Sequence, residues 1–350
     1  MNTKKILFIG GLGLQSTKIG GQIIKNRILV NFIEKNVVNS RFEVLDSLGA
    51  KKKILTFFGK LIRRTILKKY TNIVISLPTP NALKLLKLMF VIKKIRDFHL
   101  TYLVIGGSLP ERLKANPKLL KYLSICDQIC PETQNMVNFL NSKGLNNVFQ
   151  IPNFKNYSYI PKLNDRSNDV ILKTVFFSRV CKEKGVELAI GAVKQLSKKY
   201  AVKLDIYGPI DDSYKRKLEL LIKDTPNIRY NGVLKPDTNE TYEILSQYDL
   251  MLFPTLLENE GFAGAIIDSF IAGVPVLASK WPNGLEIITE NETGWFFEQN
   301  NIDELVSKLE FLIKNKNKLY SVRGNCIEEA KKYHVDNVLP KLLKEMNIEV

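Results

Sequence analysis

Histidine is nearly absent from this chain: there are two, His99 and His334, in 350 residues. Cysteine is scarce as well. Cys126 and Cys130 stand four apart in a helix-like stretch, but no second Cys/His pair completes a zinc set, so they read as core residues. No D-x-D triplet occurs, which leaves a metal-bridged diphosphate without obvious ligands. No apolar run approaches the roughly 20 residues that a membrane-spanning helix needs. The opening Met1-Asn2-Thr3-Lys4-Lys5 leads straight into a strand pattern at 6–9 rather than a long apolar segment. The expectation is therefore a chain without a secretory signal, cytosolic, with reduced thiols. Acid is missing from the first half: residues 1–165 carry 27 Lys and Arg against 8 Asp and Glu, a net +19, whereas the remainder is close to neutral at 25 against 27. Residues 51–100 alone hold 13 positive charges and 1 negative. A field of that sign recruits polyanions such as nucleic acid, anionic lipid headgroups or a phosphorylated acceptor.

What is present is an α/β pattern. The length suggests about two domains. A polar, turn-rich stretch at 152–169 (PNFKNYSYIPKLNDRSND) separates the halves. The expected division is 1–165, 166–335 and a last helical segment, 336–350. Beyond the boundary, strand patterns at 174–178, 203–207, 227–230, 250–254 and 274–278 alternate with helical ones at 186–200, 213–223, 239–248, 264–272 and 302–314. Such alternation predicts a parallel, doubly wound sheet. The first half shows the same less clearly, with strands at 6–9, 73–76 and 101–105, and no fixed-period repeat is evident.

The stretch 249–279, DLMLFPTLLENEGFAGAIIDSFIAGVPVLAS, carries the most chemistry. It reads as strand, loop, helix, strand, with Glu260 at the mouth of the sheet. Gly261, Phe262, Ala263 and Gly264 lead into the helix, and backbone N–H groups at a helix N-terminus attract anions. Asp268 lies about two turns further on. Taken alone, this also fits an ordinary α/β unit with a capped helix and a solvated carboxylate.

With Gly261-Phe262 after the first acid and Gly273-Val274-Pro275-Val276 after the second, Glu260-x7-Asp268 resembles the E-x7-E signature of retaining GT-B glycosyltransferases of family 4. Upstream, a buried strand followed by Ser178-Arg179-Val180-Cys181-Lys182-Glu183-Lys184-Gly185 resembles that family's G-R-x-x-x-x-K-G element, with Ser178 for the usual Gly. The resemblance is strong over 174–300 and thin before 150. It implies a GT-B fold: two Rossmann-like doubly wound domains facing a cleft, the second binding a nucleotide sugar and the last helix crossing back to the first. It implies that Glu260 meets the donor sugar, that Asp268, a methylene shorter than the family's Glu, holds the ribose, and that Arg179 and Lys184 neutralise the diphosphate. The donor is expected to be UDP-linked, with no cofactor and no metal.

Gly208, ending a strand, would let backbone approach the nucleotide closely. Gly11, Gly13 and Gly20 in the opening loop do not form G-x-G-x-x-G and no acid about 20 residues on completes a dinucleotide site. In the family the corresponding loop lies on the acceptor side, as would Gly106, Gly107 and Ser108 after the strand at 101–105. Many members carry a His there and this chain does not. The expected partners are a nucleotide sugar, a lipid-linked or glycan acceptor and an anionic membrane surface. The last follows from the amphipathic segments 54–70 and 81–98, rich in Lys52, Lys53, Lys60, Arg63, Arg64, Lys68, Lys69, Lys84, Lys87, Lys93, Lys94 and Arg96. Ordinary domain helices with a solvated Lys face are the plainer reading of those segments. The protein is expected in the cytoplasm, peripheral on the inner face of the cell membrane, serving cell-surface glycan synthesis. Two rivals remain at this level. One is a GT-B protein that binds a sugar nucleotide or a partner without turnover. The other is a nucleic-acid binder, which charge alone favours and which leaves 249–279 unexplained.

Overall fold

The computed structural model describes residues 5–13, 20–37, 41–48, 54–67, 70–163 and 166–348. The chain divides into two compact units, one of Met1–Phe154 with Val335–Val350 and one of Lys155–His334. Residues 155–163, attached on sequence to the first half, thus belong to the second unit.

The first unit is built on a parallel sheet of β1 (Lys5–Gly10), β2 (Arg41–Asp46), β3 (Asn72–Pro78), β4 (His99–Ile105) and β5 (Gln128–Cys130), in the order β2-β1-β3-β4-β5. Ile6 pairs with Phe42 on one side and Asn72 on the other. β1 and β3 are apolar almost throughout because both faces are covered. On one face Leu86, Met89 and Leu109 pack against Ile73, Ile75 and Tyr102. On the other, Leu29 and Ile33 of helix Gly21–Asn36 join Leu339 and Leu342 of the final helix, Val335–Glu345, over Ile6 and Phe8. Asn72 Nδ2 donates to the Met346 carbonyl, 2.8 Å away. Cys130 lies in β5 and Cys126 just before it, not in a helix as the four-residue spacing suggests. A spacing of four apolar positions also fits a turn running into a short buried strand. Both thiols are buried, and burial pushes Cys130 up to about 12.

The second unit carries a parallel sheet of β6 (Leu172–Phe177), β7 (Val202–Tyr207), β8 (Ile228–Tyr230), β9 (Leu250–Phe253), β10 (Val276–Ser279) and β11 (Gly294–Phe297). Its order is β11-β10-β9-β6-β7-β8. From β6 the chain winds outward through β7 and β8, then returns to the other side of β6 and winds through β9, β10 and β11. The winding direction therefore reverses between β6 and β9, which pair directly through Thr174–Leu250 and Val175–Met251.

The turn-rich stretch after residue 154 is a strap on this unit. Lys155 N–H donates to the Tyr333 carbonyl (2.9 Å), and Lys155 bridges His334. Tyr157 and Tyr159 pack on Tyr242 of helix Asn239–Ser246 at 6.3 and 5.9 Å between ring centres. Arg166 closes the C-terminal end of that helix by donating to the carbonyls of Ser246, Gln247 and Tyr248. A cation there also opposes the helix dipole.

Candidate functional site

In an open parallel sheet, ligands bind beyond the carboxyl ends of the strands where the winding reverses. In the second unit that point is the pair of loops after β6 and β9. The β6 loop carries Arg179 and Lys184; the β9 loop carries Glu260.

Glycine permits these loops to touch. Gly185 has φ 72°, and a Cβ there would stand 1.7 Å from the Pro254 carbonyl oxygen. Leu256 N–H donates to the Glu183 carbonyl across the same seam, 2.9 Å. Gly208, after β7, has φ 148° and a Cβ there would meet the Ser178 carbonyl oxygen at 1.7 Å. What Gly208 approaches is the backbone of the neighbouring loop.

Across the seam Lys184 Nζ donates to Glu260 Oε2, and both side chains are largely buried, at 10% and 12% exposure. Thr255 Oγ1 donates to the same oxygen at 3.1 Å, and Asn283 Nδ2 holds the Glu260 carbonyl at 2.7 Å. Lys184 also lies 5.8 Å from the centre of the Phe253 ring. Arg179 is exposed on the same loop as Lys184. Thr255 and Asn283 were not foreseen from sequence.

Helix Gly264–Ile271 starts directly after Glu260. Its N-cap, Ala263, offers no side-chain acceptor, so the first-turn N–H groups have no side-chain cap. The buried Phe262 ring packs edge-on to Tyr333, 5.2 Å between centres. Gly261 and Gly264 are half-buried beside it.

Asp268 is held by partners within the second unit. It is buried, and its carboxylate receives Lys155 Nζ at 2.9 Å and the Tyr242 hydroxyl at 3.3 Å. Lys155 also reaches Asp237 Oδ1 at 3.1 Å. Burial pushes Asp268 up to about 6 despite the Lys155 charge, and Asp237 adds to the rise. Nothing near Asp268 in sequence signals Lys155, which lies 113 residues away.

In the first unit, the loop after β1 holds Gly11 and Gly13. Asn26 donates to the Gly11 carbonyl at 3.1 Å, and Arg27 to those of Leu12 and Gly13 at 2.7 and 2.9 Å. Asp46, ending β2, accepts from Leu12 N–H at 2.9 Å. Gly13 takes φ 61°. Gly20 is the exposed N-cap of helix Gly21–Asn36. Gly106 (φ 73°), Gly107 and Ser108 follow β4, with Ser108 at the N-cap position of helix Leu109–Ala115 but making no side-chain cap. His99 begins β4, at the end opposite these residues. His334 Nε2 lies 3.1 Å from the Tyr157 carbonyl. Among the described residues no group of three or more His, Cys, Asp or Glu is arranged to hold a metal.

The whole chain superposes on known structures. Anabaena HepE in complex with UDP matches with a TM-score of 0.74 at 16% identity, covering 98% of this chain and 99% of that one. Sucrose-phosphate synthase from Thermosynechococcus elongatus matches with a TM-score of 0.76 at 14% identity over the same shares. At such identities the likeness is one of fold, and the fold is GT-B. Residues 166–333 match the family Glycosyl transferases group 1, and the second unit is a domain of that family. The poly(ribitol-phosphate) alpha-N-acetylglucosaminyltransferase of Staphylococcus aureus (strain COL) is 28% identical over 223 residues, 63% of this chain and 43% of that protein. The capsular polysaccharide biosynthesis glycosyltransferase CapM of Staphylococcus aureus is 27% identical over 202 residues, 56% of this chain and 50% of that protein. The matches thus span about half of each relative's length or less.

Proposed function

We propose that this protein is a glycosyltransferase that moves a hexose from a UDP-linked donor, with retention of configuration, to a lipid-linked or polysaccharide acceptor in cell-surface glycan synthesis. The observation that carries the reading is the Lys184–Glu260 pair at the reversal point of the sheet in the group 1 domain. In the reaction the bond from the anomeric carbon to the diphosphate oxygen breaks, and its electron pair leaves with the diphosphate. The acceptor hydroxyl oxygen forms the new bond and releases its proton. Arg179, Lys184 and the N-terminus of helix Gly264–Ile271 meet the charge growing on the leaving diphosphate, where preorganised cations and N–H groups act most strongly. No metal is assigned to this step. Glu260 meets the sugar hydroxyls, and Lys184, shared between acid and diphosphate, places the two relative to each other. The relatives' printed activities, transfer of N-acetylglucosamine to poly(ribitol-phosphate) and capsular polysaccharide synthesis, support an anionic or glycan acceptor.

The first unit supplies a surface suited to an anionic membrane. Lys84, Lys87, Lys94 and Lys121 are exposed around the Phe90–Tyr122 pair, with Val91 and Ile95 53% and 74% exposed beside them. No helix among the described residues is long and apolar enough to cross a membrane. A non-catalytic sugar-nucleotide-binding protein is the second reading, favoured by Gly106-Gly107-Ser108 where a His would serve at the end of β4.

The test is a panel of nucleotide sugars, read first by thermal stabilisation and then by turnover. A UDP-sugar should raise Tm, and Glu260→Gln, which keeps an acceptor for Thr255 and Lys184, should remove transfer at a smaller cost in Tm than Glu260→Ala, which strands the largely buried Lys184. Activity above about a tenth of wild type would exclude Glu260 from the reaction, since tenfold corresponds to only about 1.4 kcal/mol. Binding of the donor without any turnover selects the second reading.

A further inference from the structure

Lys155 is a buried ammonium that the reaction as described does not use. It opens the second unit, one residue past the crossing from the first, and its Nζ is shared by Asp268 at 2.9 Å and Asp237 at 3.1 Å. Taking an ammonium out of water is costly unless opposite charge and hydrogen bonds repay it. Here one cation faces two carboxylates, and the Tyr242 hydroxyl donates to the more buried of them. A carboxylate offers about four acceptor sites. Lys155 and Tyr242 occupy three on Asp268, two on Oδ1 and one on Oδ2. The last is on Oδ2.

We propose that Lys155 is a positioning residue of the donor site, which holds the Asp268 carboxylate ionised and turned so that its remaining acceptor site takes a ribose hydroxyl of the nucleotide. The proposal rests on the reading of the second unit as the nucleotide-sugar site. Without Lys155, Asp237 and Asp268 would face each other beside Tyr242, with Tyr157 packed on Tyr242 and His334 against Tyr157. Two buried carboxylates that close do not both stay ionised. Asp268 would then take up a proton at neutral pH and become a donor, the wrong partner for a hydroxyl that is itself to be held by its hydrogen.

The experiment is calorimetric titration of the full chain with UDP and with 2′,3′-dideoxy-UDP, which lacks both ribose hydroxyls. In Lys155→Met, UDP should bind about tenfold more weakly, the loss of one charge-assisted contact, while the dideoxy nucleotide binds within about twofold of wild type. Lys155→Arg should restore UDP binding, and Asp268→Asn should reproduce the selective loss. Wild-type UDP affinity should also fall more steeply with decreasing pH than that of Asp268→Asn, whose remaining fall reflects protonation of the terminal phosphate of UDP alone. Tyr242→Phe removes one donor without stranding a charge, and should show a smaller loss in the same direction, which keeps the test open if Lys155→Met does not fold. An equal loss for both nucleotides, or no loss, overturns the proposal and leaves Lys155 a purely structural cation. Failure of the wild type to bind either nucleotide is a different result: it removes the donor-site reading, and this proposal with it.

Discussion

Gly185 and Gly208 fix how closely the loops over β6 pack. Each adopts positive φ, and at each a Cβ would lie 1.7 Å from a backbone carbonyl oxygen of the adjacent loop. Gly144 is the internal comparison, with φ 83° and open space around it. Gly144→Ala should cost only the left-handed conformation, about 1 kcal/mol, whereas Gly185→Ala and Gly208→Ala should each cost about 2–4 kcal/mol. Urea midpoints of the three variants test this, and equal losses would remove the close-approach argument. At this scale the sequence was legible where chemistry and spacing were local. The acid at 260, the cations at 179 and 184 and the glycines between strand and helix all stand within short motifs. Thr255 and Asn283 became visible only in three dimensions: Thr255 depends on how the loop after β9 turns back on itself over five residues, and Asn283 on how the loop after β10 folds against it. Asp268 was legible as an acid at the right interval, but its enclosure by Lys155, Asp237 and Tyr242 was not.

Among the elements, the central strands were easiest to read. β1, β3, β9 and β10 are covered on both faces, so they appear as unbroken apolar runs. β2 and β11 are edge strands, and β5 and β8 are edge strands of three residues each. β2 is half-buried over most of its length, with only Leu45 fully buried, and β11 begins at a glycine. The strap after residue 154 misleads most. Its prolines, asparagines and charges suggest a free connection, yet its tyrosines and Arg166 are fastened along helix Asn239–Ser246. Arg166 pairs with the buried Asp249 at 3.3 Å while donating to three carbonyls. Arg166→Ala should therefore destabilise the second unit by about 3 kcal/mol and open 155–166 to protease. A loss below about 0.5 kcal/mol would return this segment to the status of a free linker.

At the scale of the whole molecule, charge separates the halves more sharply than the fold does. Some of the basic residues that suggested a membrane surface are occupied internally. Lys93 holds the Ile125 carbonyl and Asp127, Arg96 holds the carbonyls of Thr65 and Tyr70, and Arg64 holds the Val44 carbonyl. Lys52, Lys53, Lys68 and Lys69 lie outside the described residues. Lys60 and Arg63 remain exposed, as does the cluster of four lysines Lys84, Lys87, Lys94 and Lys121. If they dock on anionic lipid, the protein should sediment with phosphatidylserine vesicles, leave them as salt rises, and ignore phosphatidylcholine. Each such residue contributes about 1 kcal/mol at the surface, within a Debye length of roughly 8 Å. Reversal of these four lysines to Glu should abolish sedimentation and spare nucleotide binding. Equal binding to both vesicle types would point instead to apolar insertion through Val91 and Ile95.

The bridge between Lys155 and His334 carries a different kind of consequence. The chain enters and leaves the second unit at neighbouring residues, and the residues flanking the crossings, Phe154 and Val335, lie in one core of the first unit. Topologically the second unit is an insert with its ends pinched together, spliced between helix Gln134–Asn141 and the closing helix of its host. A cassette of that form can be exchanged for another without rethreading the host sheet. Whatever each unit recognises is thereby free to be inherited separately.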